Sequence, residues 1–188
     1  PGWALQYTLD LKPSGARTYE PTALATHTTV ANIRQLMSFY RLTGETKYLA
    51  RIPEAIDWLE SQRLPDADGK TNRYPTFIEL GTNRALYIHR RGSNVVNGEY
   101  YADGDPQATV GHYSSVRILD LGRLRADYET LKGTVPDVAS AGSPLKGVQP
   151  LDRYFLTELG KVSDLNTPEG KQGVQALVKG LNREGYWP

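Results

Sequence analysis

The stretch from Thr28 to Arg63 sets the tightest limit on what this chain can fold into. Ile33, Leu36, Met37 and Tyr40 recur at the i, i+3, i+4, i+7 spacing that a helix buries along one stripe, and Gly44 ends the run. From Lys47 to Arg63 the spacing returns in Leu49, Ile52, Ile56 and Leu59, where Pro53, lacking an N–H, predicts a kink or a restart. The short gap between the two predicts an antiparallel helix pair. A chain of 188 residues built on such a pair can bury roughly 70% of its unfolded surface. One domain over residues 1–188, or a fragment of a larger catalytic domain, is expected.

Beyond the pair the signals weaken. Phe77-Ile78-Glu79-Leu80 and Ala85-Leu86-Tyr87-Ile88, separated by Gly81-Thr82-Asn83-Arg84, predict a small hairpin or two irregular strands. Residues 91–112 are rich in Gly, Asn and Tyr without periodicity and read as a long loop over a site. Leu121, Leu124, Tyr128 and Leu131 mark a helix capped by Asp120. Thr134 to Pro150 has the composition of a linker or an extended crossing. Thr167-Pro168-Glu169 then opens a last helix, with Val174, Leu177, Val178 and Leu181 on one face and Asn182 and Gly185 closing it. The sum is a mostly α protein with a small irregular β element and long loops, with no support for a parallel sheet.

Several function classes fall away on composition. Lys and Arg number 22 against 21 Asp and Glu, so bulk charge neutralisation of nucleic acid is not expected. Without cysteine there is no disulfide framework, thiolate metal site or thiol nucleophile. No apolar run approaches the roughly 20 residues of a membrane helix, and Pro1-Gly2-Trp3 does not open a signal peptide, as expected of a mature chain or an excised fragment. His27, His89 and His112 are too scattered for a short-range zinc motif, and neither a phosphate-cradling Gly-rich motif nor a nucleophile elbow occurs. Pro65 to Lys70, PDADGK, starts like a calcium loop but lacks the later ligands and the terminal Glu, and reads as a solvated turn. Twelve tyrosines against three phenylalanines suit a polar groove as well as an ordinary core.

The charged residues say more. Within residues 71–91, Arg73, Arg84, Arg90 and Arg91 share an aromatic and apolar alternation with Glu79 and His89. A guanidinium is a planar five-donor fork that matches a carboxylate, so a polyanion carrying carboxylates is a better ligand than a neutral sugar. Arg17 and Glu20 lie before the first helix and can be a structural ion pair or a ligand-facing pair. Glu20 and Glu79 can likewise be read as the paired carboxylates of glycoside hydrolysis or as members of ordinary salt bridges.

Four blocks in order resemble the family 10 polysaccharide lyases, which are pectate lyases. They are GWALQY at 2–7, GARTYEP at 15–21, NIRQLMSFY at 32–40 and PTFIELGTNRALYIHRRG at 75–92. The resemblance covers about half the chain and implies the C-terminal portion of an incomplete α/α toroid that cleaves polygalacturonate by calcium-dependent β-elimination. It implies Arg90 as catalytic base and Arg17 as a carboxylate-binding residue. Tyr19, Glu20, Asn83 and Arg84 match positions that hold the site together, Arg84 being also a carboxylate-binding candidate. Thr76 stands where many members have arginine, which leaves Arg73 to supply that contact.

The chemistry accounts for these residue types. The C5 proton of a uronate becomes removable only when the C6 carboxylate is neutralised, by calcium as Lewis acid and by arginine through pairing. With Arg84, Arg91 and calcium around the base, activity is expected to rise toward alkaline pH. The family's main calcium aspartates precede the GWALQY-like block, so Glu99, Asp103 and Asp105 are the substitute candidates here, each equally readable as a solvated loop acid. The expectation is a secreted, periplasmic or outer-surface monomer acting on polygalacturonate or pectin. It has no nucleic-acid or membrane partner, though a missing N-terminal segment of the same protein would complete the toroid. An inactive uronate-binding module and a purely structural α-helical fragment are the alternatives.

Overall fold

The computed structural model describes residues 2–65, 72–92, 98–146 and 168–180. It divides into a compact unit over Pro1–Lys146 and a second over Gly147–Pro188. In the second unit, the described element is the helix Pro168–Lys179, opened by the proline as its sequence predicts. Its cap Thr167 and its closing residues Asn182 and Gly185 lie outside the described residues, as does the 66–70 turn.

The first unit is a mixed α/β fold. Its strands are β1 (Trp3–Ala4), β2 (Gln6–Tyr7), β3 (Pro13–Ser14), β4 (Ala23–Ala25), β5 (Arg73–Pro75), β6 (Phe77–Glu79), β7 (Ala85–Arg91), β8 (Glu99–Asp103) and β9 (Val116–Ile118). Its helices are α1 (Thr26–Thr43), α2 (Ile52–Ser61), α3 (Leu121–Lys132) and α4 (Pro136–Ala139). An open antiparallel sheet runs in the order β1-β4-β6-β7-β8, beside the two-stranded ladders β2-β3 and β5-β9. Helix still exceeds strand, but the small irregular β element expected from sequence is corrected to a five-stranded sheet. Strands of two or three residues, such as β1 and β4, are too short to show a period of two.

The helical core follows the predicted stripes. Ile33, Met37 and Tyr40 of α1 pack with Ile52, Ile56 and Leu59 of α2 and with Leu121, Leu124 and Tyr128 of α3. Pro53 causes a restart: a 3-10 turn at Thr46–Tyr48 precedes α2, whose first turn holds the proline where its missing N–H costs nothing. Gly44 closes α1 at φ 75°, donating its N–H to Tyr40 O at 2.7 Å. Asp120 caps α3 by accepting from Arg123 N at 2.9 Å.

Residues 134–146, within the stretch read as a linker, lie against the end of α1. Tyr40 Oη donates to Thr134 O at 2.8 Å and Ser143 Oγ to Leu42 O at 2.6 Å. The boundary between the two units, after Lys146, falls inside that stretch.

Candidate functional site

Strand β7 decides which arginines can share a site, because successive side chains of a strand point to opposite faces. Arg90 shares a face with Leu86 and Ile88, and pairs in register with Tyr100 of β8. Tyr87, His89 and Arg91 take the other face. There Arg91 stacks on Tyr101 at 4.4 Å, and His89 Nε2 meets Asp103 Oδ1 at 3.0 Å and Asp105 O at 3.1 Å. The sequence places the two arginines side by side; the strand separates them.

The Arg90 face carries a second apolar cluster, in which Ala23, Ala25, Phe77 and Ile88 are joined by Tyr19, Tyr100 and Tyr113. Tyr19 is its hub. Its ring stacks on His112 at 4.2 Å and meets Tyr100 and Tyr113 at 5.9 and 5.8 Å. At one end Arg90 Nη1 reaches Tyr100 Oη at 3.5 Å with its guanidinium 5.8 Å from that ring. At the other, Arg17 Nη1 lies 3.4 Å from Tyr113 Oη. A cleft of about 190 Å³ opens between residues 18–21 and β8, lined by Tyr19, Glu20, Ile88 and Tyr100 among others.

Glu20 anchors the loop that supplies Arg17 and Tyr19. Its side chain is 1% exposed and accepts from Arg17 Nη1 at 2.6 Å, Tyr113 Oη at 2.7 Å, Ala16 N and Arg17 N at 3.0 Å each, and Gln6 Nε2 at 3.4 Å. Burial is the largest single influence on this carboxyl and opposes ionisation. The hydrogen bonds from Tyr113, Ala16 and Arg17 together outweigh it and hold the group at about 2. The same contact raises the Tyr113 phenol and the Arg17 guanidinium above their ordinary values. Glu20 is thus a structural carboxylate with its lone pairs occupied. Arg17 spends one nitrogen on it and keeps a side chain that is 55% exposed.

The other predicted residues sit elsewhere. Asn83 and Arg84 occupy the β6–β7 turn, where Asn83 takes φ 57° and accepts from Trp58 Nε1 at 3.1 Å. Arg84 grips Glu79 through Nε and Nη2 at 3.1 and 3.0 Å. Six residues of extended chain, roughly 20 Å, separate Arg84 from Arg90. Arg73 is exposed on β5, in the two-stranded ladder with β9 and outside the sheet that carries Arg90. Thr76 itself is fully buried, bonded through its N–H to Ser115 O, its carbonyl to Thr26 N and its hydroxyl to Ser114 O.

The calcium candidates do not fit a calcium site. Asp103 Oδ1 accepts from His89 and from Asp105 N, Asp105 Oδ1 accepts from Gln107 N, and Glu99 stands at the opposite end of β8. Among the described residues no three His, Asp or Glu side chains come together as a metal site, whereas calcium takes six to eight oxygens.

Tyr100, His112 and Tyr113 are the site residues that sequence reasoning passed over in role. Their signal, an aromatic or histidine beside another aromatic in EYY and GHY, has no fixed spacing to read. Comparison of the chain with protein-family models, with curated proteins and with solved structures found no match.

Proposed function

We propose that this chain is a polyuronate lyase of the pectate lyase type, acting on polygalacturonate or pectin by β-elimination outside the cell or in the periplasm. The observation that carries the reading is the state of Arg90. Among the described residues its guanidinium has the ring and hydroxyl of Tyr100 for company and no carboxylate; Tyr100 lines an open cleft together with Glu20, the ion-pair partner of the half-exposed Arg17. Two guanidiniums flanking a tyrosine-lined groove suit a polymer with a carboxylate on each sugar.

In this reading Arg17 pairs with one uronate carboxylate. As the sequence resemblance implies, Arg90 in its neutral form takes the C5 proton of the reacting sugar. The C5–H electron pair becomes the C4–C5 double bond, and the C4–O4 bond breaks with its electrons on O4, which takes a proton from water. Among the described residues calcium has no assigned ligand. That α1 and α2 belong to a piece of an α/α toroid is part of the same proposal.

A second reading, a uronate-binding module without turnover, is favoured by one observation. Arg84 and Arg91, expected beside Arg90, lie at the far turn and on the opposite face. Absorbance of the unsaturated uronide formed from polygalacturonate, with calcium and with a chelator, separates the two. Product that vanishes in Arg90→Ala supports the lyase. Retarded migration in a polygalacturonate gel without product supports the binding module. Neither product nor retardation, from folded protein, overturns both.

A further inference from the structure

Arg17 meets its buried partner through a single nitrogen, and Tyr113 is the reason. Glu20 Oε1 accepts from Arg17 Nη1 at 2.6 Å and from Tyr113 Oη at 2.7 Å. Glu20 Oε2 accepts from the backbone N–H groups of Ala16 and Arg17 at 3.0 Å each and from Gln6 Nε2 at 3.4 Å. An arginine facing a carboxylate frequently closes both arms of its fork on it. Here the phenol, the two backbone amides and Gln6 share the carboxylate with Arg17, whose fork stays open. Among the described residues Nε and Nη2 of Arg17 have no partner, and the side chain is 55% exposed.

Tyr113 is fixed well enough to impose this arrangement. Its ring lies 5.8 Å from that of Tyr19 and 5.9 Å from that of Phe77. The two residues that follow it are tied to Thr76, whose hydroxyl donates to Ser114 O and whose N–H donates to Ser115 O. The bond to Glu20 is the first of the causes that raise its phenol above the ordinary value, so the hydroxyl remains a donor in alkaline solution.

We infer that Tyr113 is a positioning residue for substrate binding: it occupies the Glu20 oxygen that a second arm of Arg17 would otherwise take, and so leaves the Nε–Nη2 edge of that guanidinium free for a uronate carboxylate. This rests on the proposed reading of Arg17 as a carboxylate-binding residue and leaves the role of Arg90 as it stands. Without the hydroxyl, Oε1 has a lone pair to spare and Arg17 closes on Glu20 with two arms. The substrate must then break that pair before it can bind.

The test compares the native chain, Tyr113→Phe, Arg17→Ala and the double variant by retardation in polygalacturonate gels, which gives Kd, with kcat and KM from the unsaturated product. Tyr113→Phe keeps the ring that packs on Tyr19 and Phe77, and circular dichroism checks folding. Kd and KM should rise by about 5- to 10-fold in Tyr113→Phe with kcat nearly unchanged, and rise no further when the same change is made in Arg17→Ala. Arg17→Lys examines the open edge with Tyr113 in place and decides the matter if Tyr113→Phe does not fold. An ammonium committed to Glu20 has no second edge to offer, so this variant should bind as weakly as Arg17→Ala. If the chain binds without turnover, Kd alone decides. Native Kd in Tyr113→Phe, an equal loss from Tyr113→Phe with and without Arg17, or native binding by Arg17→Lys overturns the inference and leaves the uronate site standing. No retardation of the folded native chain removes the uronate site, and the inference with it.

Discussion

Glu20→Gln tests whether the loop carrying Arg17 and Tyr19 is held by a buried charge. The carboxyl falls from an ordinary 4.5 to about 2 in the folded chain, and at about 1.4 kcal/mol per tenfold change in proton affinity this is worth at most about 3.5 kcal/mol. Arg17 is more than half exposed, so solvent screens its share, and about 2 kcal/mol is the expected loss at pH 7. The sign follows from the depressed value: the contribution is complete above pH 4.5 and disappears as pH falls toward 2. Urea unfolding of both proteins at several pH values gives the difference directly. The gap should be near 2 kcal/mol at pH 7, narrow through pH 4 and close near pH 2. A gap independent of pH would refute the charge argument and leave only shape or packing as the cause.

Gly98→Ala should disrupt the β7–β8 pair, since a Cβ there would stand 2.1 Å from the backbone oxygen of Arg91 and 3.0 Å from Arg90 Cγ. A loss of about 2 kcal/mol or more is expected by denaturant titration, with polyuronate binding falling alongside it. His27 is held at about 4 by burial first and by the nearby Arg117 charge second, so its NMR titration should show no midpoint above pH 5. The neutral ring then contributes stability above pH 6.5 that is lost between 6.5 and 4, and His27→Gln should flatten thermal stability across that interval.

Helices α1, α2 and α3 were legible because each writes its burial into a stripe of four or more residues, whereas α4, inside the stretch read as a linker, buries none of its four. Predicted over 28–42, α1 spans Thr26–Thr43, and the Asp120 cap and the restart at Pro53 are both present. The turn at 81–84 was legible from Gly81 and Asn83, which take φ 80° and 57°. Strand β8 was not, because Tyr100 and Ala102 face one way while Glu99, Tyr101 and Asp103 face the other, and neither set is consistently apolar or polar. Of the candidate site, Arg90, Arg17 and Tyr19 come together. Arg84, Asn83 and Arg73 do not, since adjacency in sequence says nothing of the face a strand presents or of the distance it spans.

Thr76 links three segments at once, with the first residue of α1 on its carbonyl, Ser115 on its N–H and Ser114 on its hydroxyl. The loop bearing His112 and Tyr113 therefore cannot detach at that end without also releasing Thr76 from the chain that follows it into the groove. In hydrogen-exchange terms, the amides of Thr26 and Thr76 belong to one cooperative unit and should exchange together, at the slow rate of the helical core and not at the fast rate of a surface loop. Protection of these two amides would thus report, in a single spectrum, how firmly the core holds the groove in shape.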